Sequence, residues 1–324
     1  VSAENTTMNL PLRYSPLATR FDAGESIVIA RSLDHVEQKI TEVMYAELRA
    51  LKLVPTIPGI DPGAKTYTFM VMDRVGKAAI AAERGKDLPR ADVFLTENTS
   101  GIKSYGAQYG YTTQELREIA MAASRGVNVQ LDVARAETAA KMIARKIDNV
   151  VAFGDPVDTR IKGFLNNASV SLGSAVDVWS SLTPEQLLAE LFALANQQII
   201  VSKEIFTPDV ILLPTTQHLL VGTTPYGSAG LKTVLQFFNE AMANMGRQVT
   251  VESWPLLATA DAGGTGPRAV AYKRSVDVAG AIVPLAFQAQ PPQAQGLEWL
   301  IPCEGVCGGC AVKQPLGMYY RDGL

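Results

Sequence analysis

Tyr105-Gly-Ala-Gln-Tyr-Gly-Tyr111 runs into Thr112-Thr-Gln-Glu115, and from there into a helical tract that closes on Phe153-Gly-Asp-Pro156 and Gly163-Phe-Leu-Asn-Asn167. The aromatic–glycine alternation reads as a strand. Thr112 followed three residues later by Glu115 is a capping box: the hydroxyl accepts the Glu115 amide and the carboxylate reaches back, so a helix starts there. After a break at Arg125-Gly126, apolar residues return at Leu131, Ala139, Met142, Ile143, Ile147 and Val150. That is one stripe at helical spacing. The opposite face is charged, with Arg135, Glu137, Lys141, Arg145 and Asp148. A long half-wet helix fed by a strand, with no catalytic group on it, reads as a mechanical spine.

Working outward, residues 1 to 30 read as an arm, because Pro11 and Pro16 oppose helix and the apolar residues have no pattern. From Ser32 to Leu51 the spacing of Leu33, Val36, Ile40, Val43, Met44, Leu48 and Leu51 predicts an amphipathic helix, stopped by Pro55, Pro58 and Pro62. Thr66-Tyr-Thr-Phe-Met-Val-Met72 is a β-branched and aromatic strand. The tract from Gly76 to Arg90 has only Ile80 and Leu88 as large apolar residues. A stretch without a packing face between two strands is a functional loop or hairpin arm, ordered by something outside its own domain. Gly76, Lys77, Ile80, Gly85, Lys86 and Leu88 are therefore the candidate inter-subunit residues.

Thr183-Pro-Glu-Gln186 opens a further helix whose inward face is Leu187, Leu188, Leu191, Leu194 and Ile199. Val210-Ile-Leu-Leu213 is a buried strand between prolines. Leu231 to Met245 predicts a helix with Val234, Leu235, Phe238, Met242 and Met245 inward. Val249–Trp254, Ala269–Tyr272, Leu297–Ile301 and Met318–Tyr320 read as strands, which makes the chain α+β without internal repeats.

The 324 residues carry 47% hydrophobic and 19% charged side chains, enough for a sizeable core. No apolar run approaches the roughly 18 residues of a membrane span. A formal net charge of −3 speaks against a dedicated nucleic-acid binder. The start, Val1-Ser-Ala-Glu-Asn-Thr-Thr7, lacks the layout of a secretory signal and is expected to follow loss of the initiator Met or trimming. The sequons at Asn5, Asn98 and Asn167 are therefore read as chance.

Chemistry is sparse. Cys303-Glu-Gly-Val-Cys307-Gly-Gly-Cys310 has the C-x3-C-x2-C spacing of an iron–sulfur loop of radical enzymes. Only 14 residues follow, too few for the barrel such a loop serves, and His35 and His218 are the only histidines. The simpler reading is three reduced, buried thiols beside apolar strands. Asp261-Ala-Gly-Gly-Thr-Gly266 lacks the lysine of a phosphate loop, and Gly222-Thr-Thr-Pro-Tyr-Gly227 reads as a turn. No catalytic constellation and no cofactor site emerge.

Several stretches resemble, in collinear order, the major capsid proteins of tailed phages with the Hong Kong 97-type fold, in a branch long catalogued as a domain of unknown function. They include Tyr45-Ala-Glu-Leu-Arg-Ala-Leu-Lys-Leu-Val-Pro55, Asp87-Leu-Pro-Arg-Ala-Asp92, the Tyr105–Glu115 entry, Gly163-Phe-Leu-Asn-Asn167, Thr207-Pro-Asp-Val-Ile-Leu-Leu-Pro214 and Pro315-Leu to Gly323. The resemblance implies an N-terminal arm (1–30), an entry helix of a peripheral domain (31–55) and an extended hairpin loop (56–104). It implies next the peripheral domain with its spine helix (105–206), an axial domain (207–285) and a return to the periphery (286–324). It further implies a self-assembling subunit of hexamers and pentamers in an icosahedral head, made in the host bacterial cytoplasm around double-stranded DNA. Portal and scaffold or decoration proteins would be its partners, with no membrane, no catalysis and no sequence-specific DNA contact. Lys77 and Lys86 are the hairpin lysines available for the covalent cross-links some relatives form. An encapsulin-like compartment and an iron–sulfur enzyme are the alternatives.

Overall fold

The computed structural model describes residues 47–77, 90–124, 131–227 and 232–324, without the side chains of 122–124 and 131–133. The chain divides into Val1–Glu47 and Leu48–Leu324, and every described element belongs to the second unit. The expected arm, most of the entry helix, the break at Arg125-Gly126 and the hairpin positions Ile80, Gly85, Lys86 and Leu88 lie outside the described residues.

In chain order the unit begins with a one-turn helix α1 (Ala50–Leu53), the hairpin strands β1 (Thr66–Val75) and β2 (Asp92–Gly101), then β3 (Lys103–Thr112) and helices α2 (Thr113–Ser124) and α3 (Leu131–Phe153). Next come β4 (Ser171–Ser174), α4 (Pro184–Val201), β5 (Val210–Leu213), α5 (Thr215–Thr223), the short strands β6 (Pro225–Tyr226) and β7 (Lys232–Thr233), and α6 (Val234–Asn244). The remainder is strand: β8 (Thr250–Ser253), β9 (Arg268–Tyr272), β10 (Ala279–Ala281), β11 (Leu285–Ala289), β12 (Gln293–Gln295), β13 (Glu298–Cys307), β14 (Cys310–Val312) and β15 (Met318–Asp322). Gly222 and Thr223, expected in a turn, complete α5 instead.

The helix starts are local chemistry. Thr112 Oγ1 accepts the Glu115 amide at 3.2 Å and Glu115 returns the bond at 3.0 Å. Thr183 with Gln186 and Thr233 with Gln236 make the same reciprocal box, so α6 starts three residues later than the apolar spacing suggests.

Two sheets define the body. β13 is its longest described ladder: β3 pairs antiparallel along the whole of one side, and β11 then β12 share the other. Pro302, expected to end this strand, sits inside it. Its carbonyl accepts the Gln290 amide just past the end of β11, so its missing N–H falls in the gap before β12 and breaks no ladder bond. The second sheet has the order β4-β15-β9-β5-β8, parallel at both ends and antiparallel within. Period-two geometry gives each of its strands two loyalties. Val210, Leu212, Val270, Tyr272, Met318 and Tyr320 join the core under α3, whereas Ile211, Leu213, Ala269, Ala271 and Tyr319 join the core under α4 and α6. Burial on both faces explains why β5 reads as unbroken apolar sequence.

α3 lies along β13 and β3 with Ala139, Ile143, Ile147 and Val150 buried, each large side chain contributing about 1.5–3 kcal/mol. Met142 of the expected stripe is 40% exposed, because it sits at the edge where the helix meets β3. Asp148, expected on the wet face, is 7% exposed: its Oδ1 accepts the Ala50 amide at 2.8 Å and caps α1. That contact buries Ala50 and Leu53 and leaves Leu48 and Leu51 outward, the reverse of the face read from spacing. Met245 is likewise exposed, since α6 ends before it.

β13 approaches α3 most closely at Gly305. A Cβ there would stand 2.6 Å from Ile143 Cγ2 and 2.9 Å from the Ala286 carbonyl oxygen. Gly305→Ala is therefore expected to lower the stability of the unassembled subunit by about 1–3 kcal/mol, measured by urea unfolding.

Candidate inter-subunit surface

β1 and β2 pair antiparallel over ten residues, from Thr66 opposite Gly101 to Val75 opposite Asp92, and no third described strand pairs with either edge. Only the base is anchored. Tyr67 and Phe69 pack with Ile57, Ile102, Ile282, Val306 and Ala311, and the Ile102 amide donates to the Lys65 carbonyl. Beyond Phe69, among the described residues, most of the ribbon's large side chains are exposed. On one face Met72 stands opposite Leu95, flanked by Met70 opposite Glu97 and by Arg74 opposite Val93. Met70 is 70% exposed and Leu95 63%; Met72, Val93, Phe94 and Val75 are also exposed.

A two-stranded ribbon is marginal by itself, and a face of methionine, leucine and valine left in water is unfavourable. The sequence places Met70 and Met72 on a strand but does not mark them as exposed, because one strand's alternation does not tell which face has a layer behind it. Of the candidate hairpin residues, Gly76 and Lys77 follow directly on β1. Gly76 faces Ala91 across the ribbon, where a Cβ would lie 3.0 Å from the Ala91 backbone. A groove between β3 and α3 is lined by Ala107, Tyr109, Arg135, Thr138 and Met142. Arg135 spans it, holding the Glu115 carboxylate at 2.9 Å and the Gly110 carbonyl at 2.6 Å.

The three cysteines are free and buried on the core side of β13 and β14. The tight turn between the strands is only Gly308-Gly309, with Gly309 at φ +76°. Its amide donates to Cys307 Sγ at 3.4 Å. Burial pushes the Cys307 thiol up to about 11 and raises Cys303 and Cys310 as well. A protonated thiol is neither nucleophile nor metal ligand. Among the described residues no group of three or more His, Cys, Asp or Glu side chains is disposed to hold a metal ion. His218 lies half-buried on α5, and Gly264 of the 261–266 loop takes φ +74°. No described helix is long and apolar enough to cross a membrane.

The family model described as major capsid protein matches residues 76–324. Among solved structures, the capsid of Myoviridae phage XM1 is similar with a TM-score of 0.78 at 18% identity, covering 91% of this chain and 98% of that one. A structure of Mycobacterium phage Ogopogo aligns with a TM-score of 0.57 at 13% identity over 91% and 98% of the two chains. A virus-like particle from Pyrococcus furiosus aligns at 0.52, also at 13% identity, over 84% and 91%. No curated protein matches the chain. The fold shared with the phage structures is the Hong Kong 97-type α+β fold.

Burial of the thiols has a consequence in alkali. A thiol whose folded pKa is raised holds stability that is fully present below its ordinary value near 9 and is lost as pH climbs toward 11. Iodoacetamide at pH 8 is expected to leave all three cysteines unmodified in the native subunit and to label all three in urea, read by intact mass. Thermal stability is expected to fall between pH 9 and 11, and less so in a Cys307→Ala variant.

Proposed function

The chain belongs to the major capsid protein family, and from that membership we propose that copies of it close into hexamers and pentamers of an icosahedral head around double-stranded DNA. The observation that supports this reading is the hairpin ribbon, which displays an apolar face that its own subunit leaves in water. A neighbouring copy is the natural cover. A patch on one subunit that meets a different patch on the next is a heterologous contact, and such contacts generate rings when the rotation closes. The ribbon's open edges can add backbone hydrogen bonds to the same contact. In this reading the β3–β13 sheet with α3 belongs to the peripheral part of a wedge-shaped subunit, and β5 to β9 with α5 and α6 to its axial part. Assembly takes place in the host cytoplasm with portal and scaffold or decoration partners, the DNA is held without sequence preference, and the buried cysteines stay reduced and unligated.

A compartment around protein cargo, of encapsulin type, is the second reading, and the likeness to a virus-like particle favours it. The higher TM-score against a phage capsid puts the phage head first. The contents of purified particles distinguish the two.

The contact itself is tested on the ribbon. Met72→Glu combined with Leu95→Lys keeps an attractive cross-strand pair, so the hairpin can stay formed while its apolar face is destroyed. The expected product is a soluble subunit with a melting temperature within a few degrees of the parent, and no particles by electron microscopy. Normal particles from this variant would show that the ribbon face is not the contact.

A further inference from the structure

The ribbon leaves the body beside a cluster of charges. Lys103, the first residue of β3, holds its Nζ 3.4 Å from Asp155 Oδ2 and 3.5 Å from Asp158 Oδ2. Both carboxylates belong to the loop that follows α3 and are nearly buried, whereas the Lys103 side chain is 37% exposed. The same loop grips the ribbon's last residues. Ser100 Oγ donates to the Arg160 carbonyl and to the Gly308 carbonyl, and Gly101 is so close that a Cβ would touch Ile161 and Asp158. The loop in turn is fastened to α3 through the Gly154 amide on the Val150 carbonyl, and closed on itself by the Asp155 amide on the Ile161 carbonyl.

Neither carboxylate needs the lysine in order to be satisfied. Asp158 accepts both Nε and Nη2 of Arg160, at 3.0 and 2.9 Å, and the Arg160 amide. Asp155 accepts the Val157 amide at 2.9 Å and the Tyr105 hydroxyl at 3.3 Å. These donors first, with Lys103 adding to them, hold both carboxyls below the usual carboxylate range, so the cluster stays ionised at any ordinary pH. What Lys103 adds is a charged tie between the strand at the foot of the ribbon and the end of the spine helix. Resting on the shell reading above, we propose that Lys103 is a positioning residue: with Asp155 and Asp158 it forms a clamp that sets the angle at which the ribbon projects toward the next subunit, and so helps to set shell curvature.

The test compares Lys103→Met, which keeps length without charge, with Lys103→Arg, which keeps the charge. The unassembled subunit is followed by hydrogen exchange and thermal unfolding, and assembled particles are sized by electron microscopy. Lys103→Met is expected to unfold within a few degrees of the parent, to exchange several-fold faster at residues 100–103 and 154–161, and to give a broadened distribution of diameters. Lys103→Arg is expected to restore both parental values. Unchanged exchange in Lys103→Met, or parental diameters despite faster exchange, would overturn the proposal. So would failure of that variant to fold, since the remaining donors are held to be sufficient. Absence of particles from the parent protein itself would remove the shell reading instead, and the clamp would then be decided by exchange alone.

Discussion

Beside the shared apolar core, the turn after α3 is tied to the five-stranded sheet by a buried charge. Arg268 on β9 is directly opposite Asp322 on β15, and its Nε and Nη2 bind that carboxylate at 2.6 and 2.7 Å. Its remaining nitrogen donates to the Leu165 carbonyl, and its guanidinium lies 4.7 Å from the centre of the Tyr320 ring. The Tyr320 hydroxyl donates to the Phe164 carbonyl. The Gly163–Asn167 turn, which carries the chain away from α3, is thus fastened to the five-stranded sheet by Arg268 and Tyr320, both buried. A cation so buried would be costly alone, and breaking such a pair costs several kcal/mol because the survivor is left uncompensated. The arrangement therefore enforces one geometry between spine and sheet.

The hairpin obeys the opposite constraint. A sheet of two strands has two faces and no interior, and among the described residues the side chains of Met70, Met72, Val93 and Leu95 have no layer packed over them. Exposing Met70, Met72, Val93 and Leu95 is unfavourable for an isolated subunit by the same transfer energies that hold the core together. Stability in the body and incompleteness in the ribbon are two outcomes of one force, and only the second calls for a partner.

Much of this could be read from the sequence because it is local. Thr112 and Thr183 announce their helices through side chains three residues away, and β5 shows its double burial in four consecutive apolar residues. The Thr233 box is equally local but is masked by the apolar residue before it, Leu231; the other differences concern tertiary context. Asp148 looks like a surface carboxylate until the amide of Ala50, distant in sequence, arrives to be capped. Pro302 looks like a strand end because the gap between β11 and β12 cannot be seen in the strand that contains it. Cys303, Cys307 and Cys310 are no such error: despite their ligand-like spacing the sequence favours buried thiols beside apolar strands, and there they lie. The apolar ribbon escaped for the same reason: Met70 and Met72 alternate as core residues would, and only the absence of a second layer distinguishes them.

Rigidity and incompleteness meet at one place, the foot of the ribbon. Lys103 begins the strand that runs the length of β13, and the loop it contacts ends the spine helix. A displacement of the ribbon therefore loads backbone belonging to the largest packed layer and is not absorbed by a flexible stem. Close-packed layers resist continuous deformation, so in the proposed contact a force on the ribbon would be passed to α3 and, through Arg268, to the five-stranded sheet. In the proposed shell, where identical copies would meet around a closed ring, such stiffness is an advantage. An error in contact angle repeats at every interface, and a ring closes only when that angle is held nearly constant.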